Sequence, residues 1–166
     1  MPFIHEILMT LDVILCDLSP SQIQTFYSGI GVMIAYCQGT LLQEQEALIT
    51  AALRSTLDAW NGYMNQMQQV DVLSHPEMIQ QIDSILRIWF ALASVSGIHF
   101  HFISLVKESM THLYQQVSAA IQEACHSLGD VAVKTPRVRA LRGIKKVLEL
   151  YYFHRIFSNY SPWCIL

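Results

Sequence analysis

Between residues 74 and 97 the apolar positions Ile79, Ile82, Leu86, Trp89 and Ala93 recur at steps of three and four. That spacing lays them along one stripe of an α-helix. Both ends of the segment carry boundary signals. Ser74 is placed to cap the first turn, and Glu77 stands three residues on, the capping-box position. Pro76 falls in the first turn, where a missing N–H costs nothing. Gly97 closes the other end, where a left-handed residue is wanted.

The same pattern covers the rest of the chain. Residues 2–17 predict one helix with Ile4, Leu8, Leu11 and Leu15 on its stripe, ending at Leu18. Ser19 then caps a second helix, with Pro20 at its first position and Gln22 at the capping-box site. Ile23, Tyr27, Ile30 and Ile34 form its stripe, and Gly39 ends it. Gly29 and Gly31 in its middle suggest the close approach of a neighbouring helix. Thr40, partnered by Gln43, opens a third helix that carries Ile49, Leu53, Leu57, Trp60, Met64 and Met67, with Asn61-Gly62 as a point where it bends. A linker at 69–73 leads to the central helix. A fifth helix carries Phe102, Val106, Met110, Leu113, Val117, Ile121 and Ala124 and ends by Gly129. Thr135-Pro136 opens a sixth, with Val138, Leu141, Leu148 and Tyr151 inward. Nothing requires a β-strand.

Helix-opening prolines stand at 20, 76 and 136, and helix-closing glycines at 39 and 97, a period of roughly 56–60 residues. The unit is a long helix followed by a capped shorter one. A single hairpin leaves an apolar face bare, so stacked copies are expected. The expected architecture is therefore an all-α α-solenoid of three antiparallel hairpins, spanning 1–39, 40–97 and 98–158, with 159–166 as an irregular tail. The end hairpins lack an obvious polar cap, so a stretch of a longer array is expected.

Composition changes the picture little. The chain is 52% hydrophobic and 14% charged, which points to helices buried on more than one face. The longest uncharged apolar runs, 28–37 and 88–98, fall well short of the ~20 residues a membrane span needs. His5, Glu6 and Asp12 break the N-terminal apolar run, unlike a signal peptide. Cys16, Cys37, Cys125 and Cys164 show no C-x-x-C spacing, and three of them read as small apolar residues within helices of a reduced protein. His99 and His101 are two apart and point to different helix faces, a poor basis for a metal site. No nucleophile elbow or phosphate-cradling glycine loop occurs, and the closing Cys164-Ile165-Leu166 lacks the spacing of a prenylation signal. These observations predict no enzyme activity, no metal and no cofactor.

The charge distribution is more informative than its net value of −3. Residues 1–133 hold only Arg54, Arg87 and Lys107 against about a dozen acids. Residues 134–155 hold Lys134, Arg137, Arg139, Arg142, Lys145, Lys146 and Arg155 against Glu149. Within KTPRVRALRGIKK, Arg139, Arg142, Lys145 and Lys146 gather on a helix while Leu141, Ile144 and Leu148 turn away. Three readings stand: a solvated helix face, a docking surface for an acidic protein, or a nucleic-acid contact. The third is disfavoured, because no aromatics for base stacking interleave with the run and the chain as a whole is acidic. Arg137, Arg139, Arg142, Lys145 and Lys146 are thus the candidate protein-binding residues.

Five stretches, MPFIHEIL, CDLSPSQIQTFY, SHPEMIQQIDSIL, VSAAIQEA and VKTPRVRALRGIKK, resemble consecutive parts of the exportins, the nuclear export receptors of the importin-β (karyopherin) superfamily. The similarity runs in order across roughly residues 1–150, and YYFHRIFSNYSPWCIL departs from it. The resemblance implies a HEAT-type solenoid segment from the C-terminal half of such a receptor, without catalytic activity, shuttling between nucleus and cytoplasm. It implies Ran-GTP and cargo bearing leucine-rich export signals as partners of the full receptor, with nucleoporins as further ones. It also implies that the second helix of each hairpin lines the inside of the ring, which puts the basic face of residues 136–150 there. The signal-binding groove and its reactive cysteine belong to earlier hairpins in such receptors, and none of the four cysteines here matches that cysteine. The alternative is a free-standing helical-repeat scaffold that binds another acidic protein or peptide.

Overall fold

A computed structural model describes residues 2–36, 42–67, 72–94 and 99–158. It contains the helices α1 (Pro2–Met9), α2 (Leu11–Leu15), α3 (Pro20–Ala35), α4 (Leu42–Met67), α5 (Pro76–Ala93), α6 (His99–Leu128) and α7 (Pro136–Ser158). Short 3-10 turns at Val72–Ser74 and Gly129–Lys134 precede α5 and α7. No strand occurs among the described residues. The fold is an all-α helical repeat.

The helices form two layers. α3, α5 and α7 lie side by side, with α5 packed broadly against both neighbours. The other layer holds α1, α4 and α6, and α1 meets α4, and α4 meets α6, only locally. The core runs between the layers as one continuous cluster from Ile4 to Leu148. Its middle is α5, where Ile85, Ile88 and Leu92 are buried in addition to the stripe residues Ile79, Ile82, Leu86, Trp89 and Ala93. A helix with neighbours on two sides and a layer beneath it needs an apolar arc wider than one stripe.

Two tryptophans bind the layers together. Trp60 of α4 and Trp89 of α5 are buried, with ring centroids 4.8 Å apart and planes inclined by 50°. Each buried indole N–H needs an acceptor. Trp89 Nε1 donates to Thr56 Oγ1 of α4 at 2.9 Å, and Trp60 Nε1 donates to Ser109 Oγ of α6 at 2.9 Å. Those hydroxyls in turn donate to carbonyls of their own helices, at Leu53 and Val106. Three helices are thereby joined without an orphaned polar atom at either indole. Tyr63 of α4 also donates its hydroxyl to Gln81 of α5.

Several local expectations need correction. Residues 2–17 form two helical pieces rather than one, interrupted at Thr10, which has φ −107° and ψ 12°. The Thr10 hydroxyl donates to the Glu6 carbonyl at 2.9 Å, a local bond that competes with regular helix geometry. The cap of α5 falls on His75, not Ser74, because Ser74 completes the preceding 3-10 turn. The shift of one residue takes Ser74 and Glu77 out of capping-box register. Ser19 does begin α3 as expected, and Gln22 Oε1 accepts from the Ser19 amide at 2.9 Å and from its hydroxyl at 2.7 Å. Gly29 does not mark a close approach: a Cβ there would meet nothing within 4 Å. α4 runs unbroken through Asn61-Gly62. Cys16 is exposed rather than a core residue, and Cys125 is half-buried. Gly129 follows α6 with φ 56°, the left-handed conformation that ends a helix. The expected roles of Gly39, Gly97 and Thr40, most of the 69–73 linker, Cys37 and Cys164, the tail at 159–166, and the side chains of His99, His101, Phe102 and Tyr151 lie outside the described residues.

Candidate protein-binding surface

α7 owes its position to its first turn. Thr135 precedes it in extended conformation, and its Oγ1 accepts from the Val138 amide at 3.3 Å. Pro136 occupies the first helical position. Val138, Leu141, Ile144 and Leu148 are buried against α5 and α6, so the rotation of the helix about its axis is fixed. The rotation then decides where each basic residue goes.

The five candidate residues fall into two groups. Arg139, Arg142 and Lys146, at steps of three and four, are exposed along one stripe. Arg139 spends one guanidinium N–H on the Lys134 carbonyl at 3.2 Å, which steadies its stem near the start of the helix. Arg137 and Lys145 are half-buried and engaged within the fold. Arg137 Nε donates to the Leu73 carbonyl at 2.9 Å, tying α7 to the turn before α5. Lys145 Nζ sits 5.2 Å from the centroid of the Tyr114 ring, a cation–π arrangement with α6. The Tyr114 hydroxyl donates to Glu149 Oε1 at 3.3 Å, so the one acid of residues 134–155 is directed toward α6. The exposed stripe of α7 is left with positive charge only over Arg139, Arg142 and Lys146.

A fourth cation joins from α5, one that the run of basic residues alone gave no reason to include. Arg87 and Arg139 both line a groove of about 320 Å³ between α5 and α7, with Ile79, Gln80, Asp83, Pro136, Ala140 and Gly143. Arg87 Nε donates to Asp83 Oδ2 at 2.6 Å, an i, i+4 pair legible in the sequence. The other carboxylate oxygen, Asp83 Oδ1, is buried without a hydrogen-bond partner. The adjacency of α5 and α7 belongs to tertiary structure, so sequence spacing carried no sign of it.

A second opening lies in the other layer. A cleft of about 670 Å³ separates α1 and α2 from α4, lined by Leu8, Met9, Leu11, Ala47 and Ala51 and by Asp12, Arg54 and Asp58 among others. Its rim charges are of both signs. No group of three or more His, Cys, Asp or Glu side chains is arranged to hold a metal among the described residues. Nor is any helix among them long and apolar enough to cross a membrane.

The described helices thus form a stack of hairpins with one broadly packed layer and a basic stripe on α7. The chain is 36% identical over 152 residues to exportin-1 of Schizosaccharomyces pombe, covering 90% of this chain and 14% of that protein. The chain is related to exportin-1. It is also 31% identical over 147 residues to exportin-1 of Drosophila melanogaster, covering 87% of this chain and 14% of the relative. A third relative, EXPORTIN 1B of Arabidopsis thaliana, is 31% identical over 157 residues, again with 14% of its length covered. No family model matches. The chain therefore spans about 14% of the length of the exportin-1 relatives it matches.

Proposed function

We propose that this chain forms part of the wall of a nuclear export receptor, a HEAT-type scaffold without catalytic activity. The observation that carries the reading is the sequence relationship to exportin-1 along nine-tenths of the chain, joined to the side-by-side stacking of α3, α5 and α7. In this reading the repeating units are the hairpins 1–39, 40–97 and 98–158, drawn from the C-terminal half of the receptor, with 159–166 outside them. The layer of second helices faces the inside of the curved array. Its basic stripe, Arg139, Arg142 and Lys146, docks the acidic surface of GTP-bound Ran, while Arg137 and Lys145 hold α7 in place. The full receptor carries cargo with leucine-rich export signals past nucleoporins, and it shuttles between nucleus and cytoplasm.

The test is a titration of GTP-loaded Ran against the 166-residue chain and against an exportin-1 carrying this segment, each with and without Arg139→Glu, Arg142→Glu and Lys146→Glu. Exposed charges act through a field screened over about 8 Å at physiological salt, so the measurement is made at low and at physiological ionic strength. The expected result is at least a tenfold loss of Ran affinity in the triple variant, larger at low salt. Unchanged affinity in both proteins would sink the docking role.

A further inference from the structure

The groove between α5 and α7 has walls of a particular kind. On the α7 side Pro136, Ala140 and Gly143 succeed one another at steps of four and three, all small. On the α5 side stand Ile79, Gln80, Asp83 and Arg87. Ile79 is fully buried, so the apolar lining open to a partner comes mainly from the compact side chains of Pro136 and Ala140, with no large hydrophobic residue to grip. Among the described residues, the large exposed hydrophobics, such as Phe3, Met9, Val13 and Tyr36, all lie elsewhere. An amphipathic helix, which binds by sinking apolar anchors, would gain little here. What the groove does offer is backbone-close approach past the small residues and positive charge at its margin.

That charge comes from two different helices. Arg87 keeps its Nε on Asp83, which leaves its two terminal nitrogens facing outward, while Arg139 keeps Nη2 on the Lys134 carbonyl and has Nη1 and Nε to offer beside the same cavity. Arg142 and Lys146 extend the charge along the exposed stripe of α7. Asp83 offsets one of these four positive charges through its pair with Arg87, and the margin keeps a net positive charge. Guanidinium groups match carboxylates in bidentate geometry. From residue 79 to residue 87 a helix rises about 12 Å, the length of roughly four residues of extended chain.

We propose that the α5–α7 groove binds a short, extended acidic peptide segment of a partner protein, whose carboxylates engage Arg87 and Arg139 while its backbone lies against Ala140 and Gly143. The proposal rests on the basic face of α7 being a docking surface, and it narrows the occupant to a polar strand seated between the two helices.

Gly143 supplies a test that leaves the charge untouched. A Cβ at Gly143 would meet nothing within 4 Å and Gly143 lines the groove, so the side chain of Gly143→Met starts in open space beside it. Gly62→Met, on α4 and equally open, is the control for adding a methionine at a helical glycine. The probe is a fluorescein-labelled, N-acetylated octapeptide of alternating Glu and Gly, titrated into the 166-residue chain by fluorescence anisotropy at low salt. A Lys–Gly octapeptide and a single-stranded RNA octamer serve as comparison ligands. Circular dichroism checks that each variant keeps its helix content. The expected results are binding of the Glu–Gly peptide alone, at least a tenfold loss with Gly143→Met, a similar loss with Arg87→Gln combined with Arg139→Gln, and no change with Gly62→Met. If Gly143→Met binds as the parent does while Arg139→Glu, Arg142→Glu and Lys146→Glu abolish binding, the groove is overturned and the basic face stands. If neither set of changes matters, both fail. Tighter binding of the RNA than of the peptide also overturns the proposal.

Discussion

The two layers of this protein are built from the same kind of helix and packed in different ways. In the layer of α3, α5 and α7 each helix lies along the next, and α5 buries a broad apolar arc between its two neighbours. In the layer of α1, α2, α4 and α6 the helices meet locally, and a cleft of about 670 Å³ remains between α1–α2 and α4. Met9 on its edge is 88% exposed, whereas Trp89 of α5 is completely buried. The difference puts the buried Trp89 in the continuous layer and the exposed Met9 at the edge of a cleft, and it sets the basic stripe of α7 beside the smaller α5–α7 groove.

The largest predicted effect tests that contrast directly. Trp89→Ala should cost about 3–5 kcal/mol in urea denaturation, through lost burial and the cavity left against Trp60. Met9→Ala should change stability by less than about 0.5 kcal/mol. Similar values for the two would erase the distinction between the layers.

Tyr27 of α3 gives the contrast a pH dependence. Burial, and secondarily the charge of Asp12, push its phenol up to about 12. The neutral phenol is the form the folded state favours. Its contribution is therefore complete below the ordinary tyrosine value near 10 and is lost as pH rises from about 10 to about 12. The loss should reach roughly 2 kcal/mol, seen as falling stability over that range, and Tyr27→Phe should flatten this part of the profile. A profile of the same steepness in Tyr27→Phe would assign the alkaline loss to other groups.

Arg137→Ala removes the guanidinium from the Leu73 carbonyl and should cost about 1–3 kcal/mol, since it leaves a buried acceptor unpaired. Hydrogen exchange should report faster opening at the start of α7. Protection unchanged there would show that apolar packing alone holds α7 in the tight layer.

Helix termini separate the two starts within that layer. Ser19→Ala should cost on the order of 1 kcal/mol, because its hydroxyl and amide both engage Gln22 at the start of α3. His75 makes no side-chain cap at the start of α5, so His75→Asp should gain about 0.5–1 kcal/mol. A loss instead would return the cap to Ser74. In the open layer, Gly62→Ala should stabilise by a similar amount, about 0.5–1 kcal/mol, since it is exposed within α4 and a Cβ there meets nothing. Thermal melts would show a rise in Tm; a fall would mean that α4 bends there in solution.

Much of this architecture is written locally. The stripe from Ile79 to Ala93, the Ser19–Gln22 pairing and the Pro136 start of α7 depend on residues within one or two turns of each other, and all were readable as a helix face or an end signal. Local reading erred where two local preferences competed. Thr10 bonding back to Glu6 divides the first helix, and the 3-10 turn ending at Ser74 moves the next cap to His75. The basic residues illustrate the boundary between the two kinds of information. Their gathering on one helix follows from spacing, which grouped Lys145 with Arg139, Arg142 and Lys146, whereas the structure turns Lys145 toward α6. That Arg137 reaches Leu73, that Lys145 meets Tyr114, and that Arg87 stands across a groove from Arg139 are results of α7 lying on α5 and α6.

The order of residues thus determined on its own that this protein is a series of amphipathic helices with concentrated positive charge in the last of them, since periodicity, capping and charge are properties of neighbours in the chain. Only the tertiary structure decided which layer closes and which stays open, and which cations converge. Those outcomes depend on groups 33 and 64 positions apart meeting in space, as Trp89 meets Thr56 and Arg137 meets the Leu73 carbonyl, and no local preference encodes that meeting.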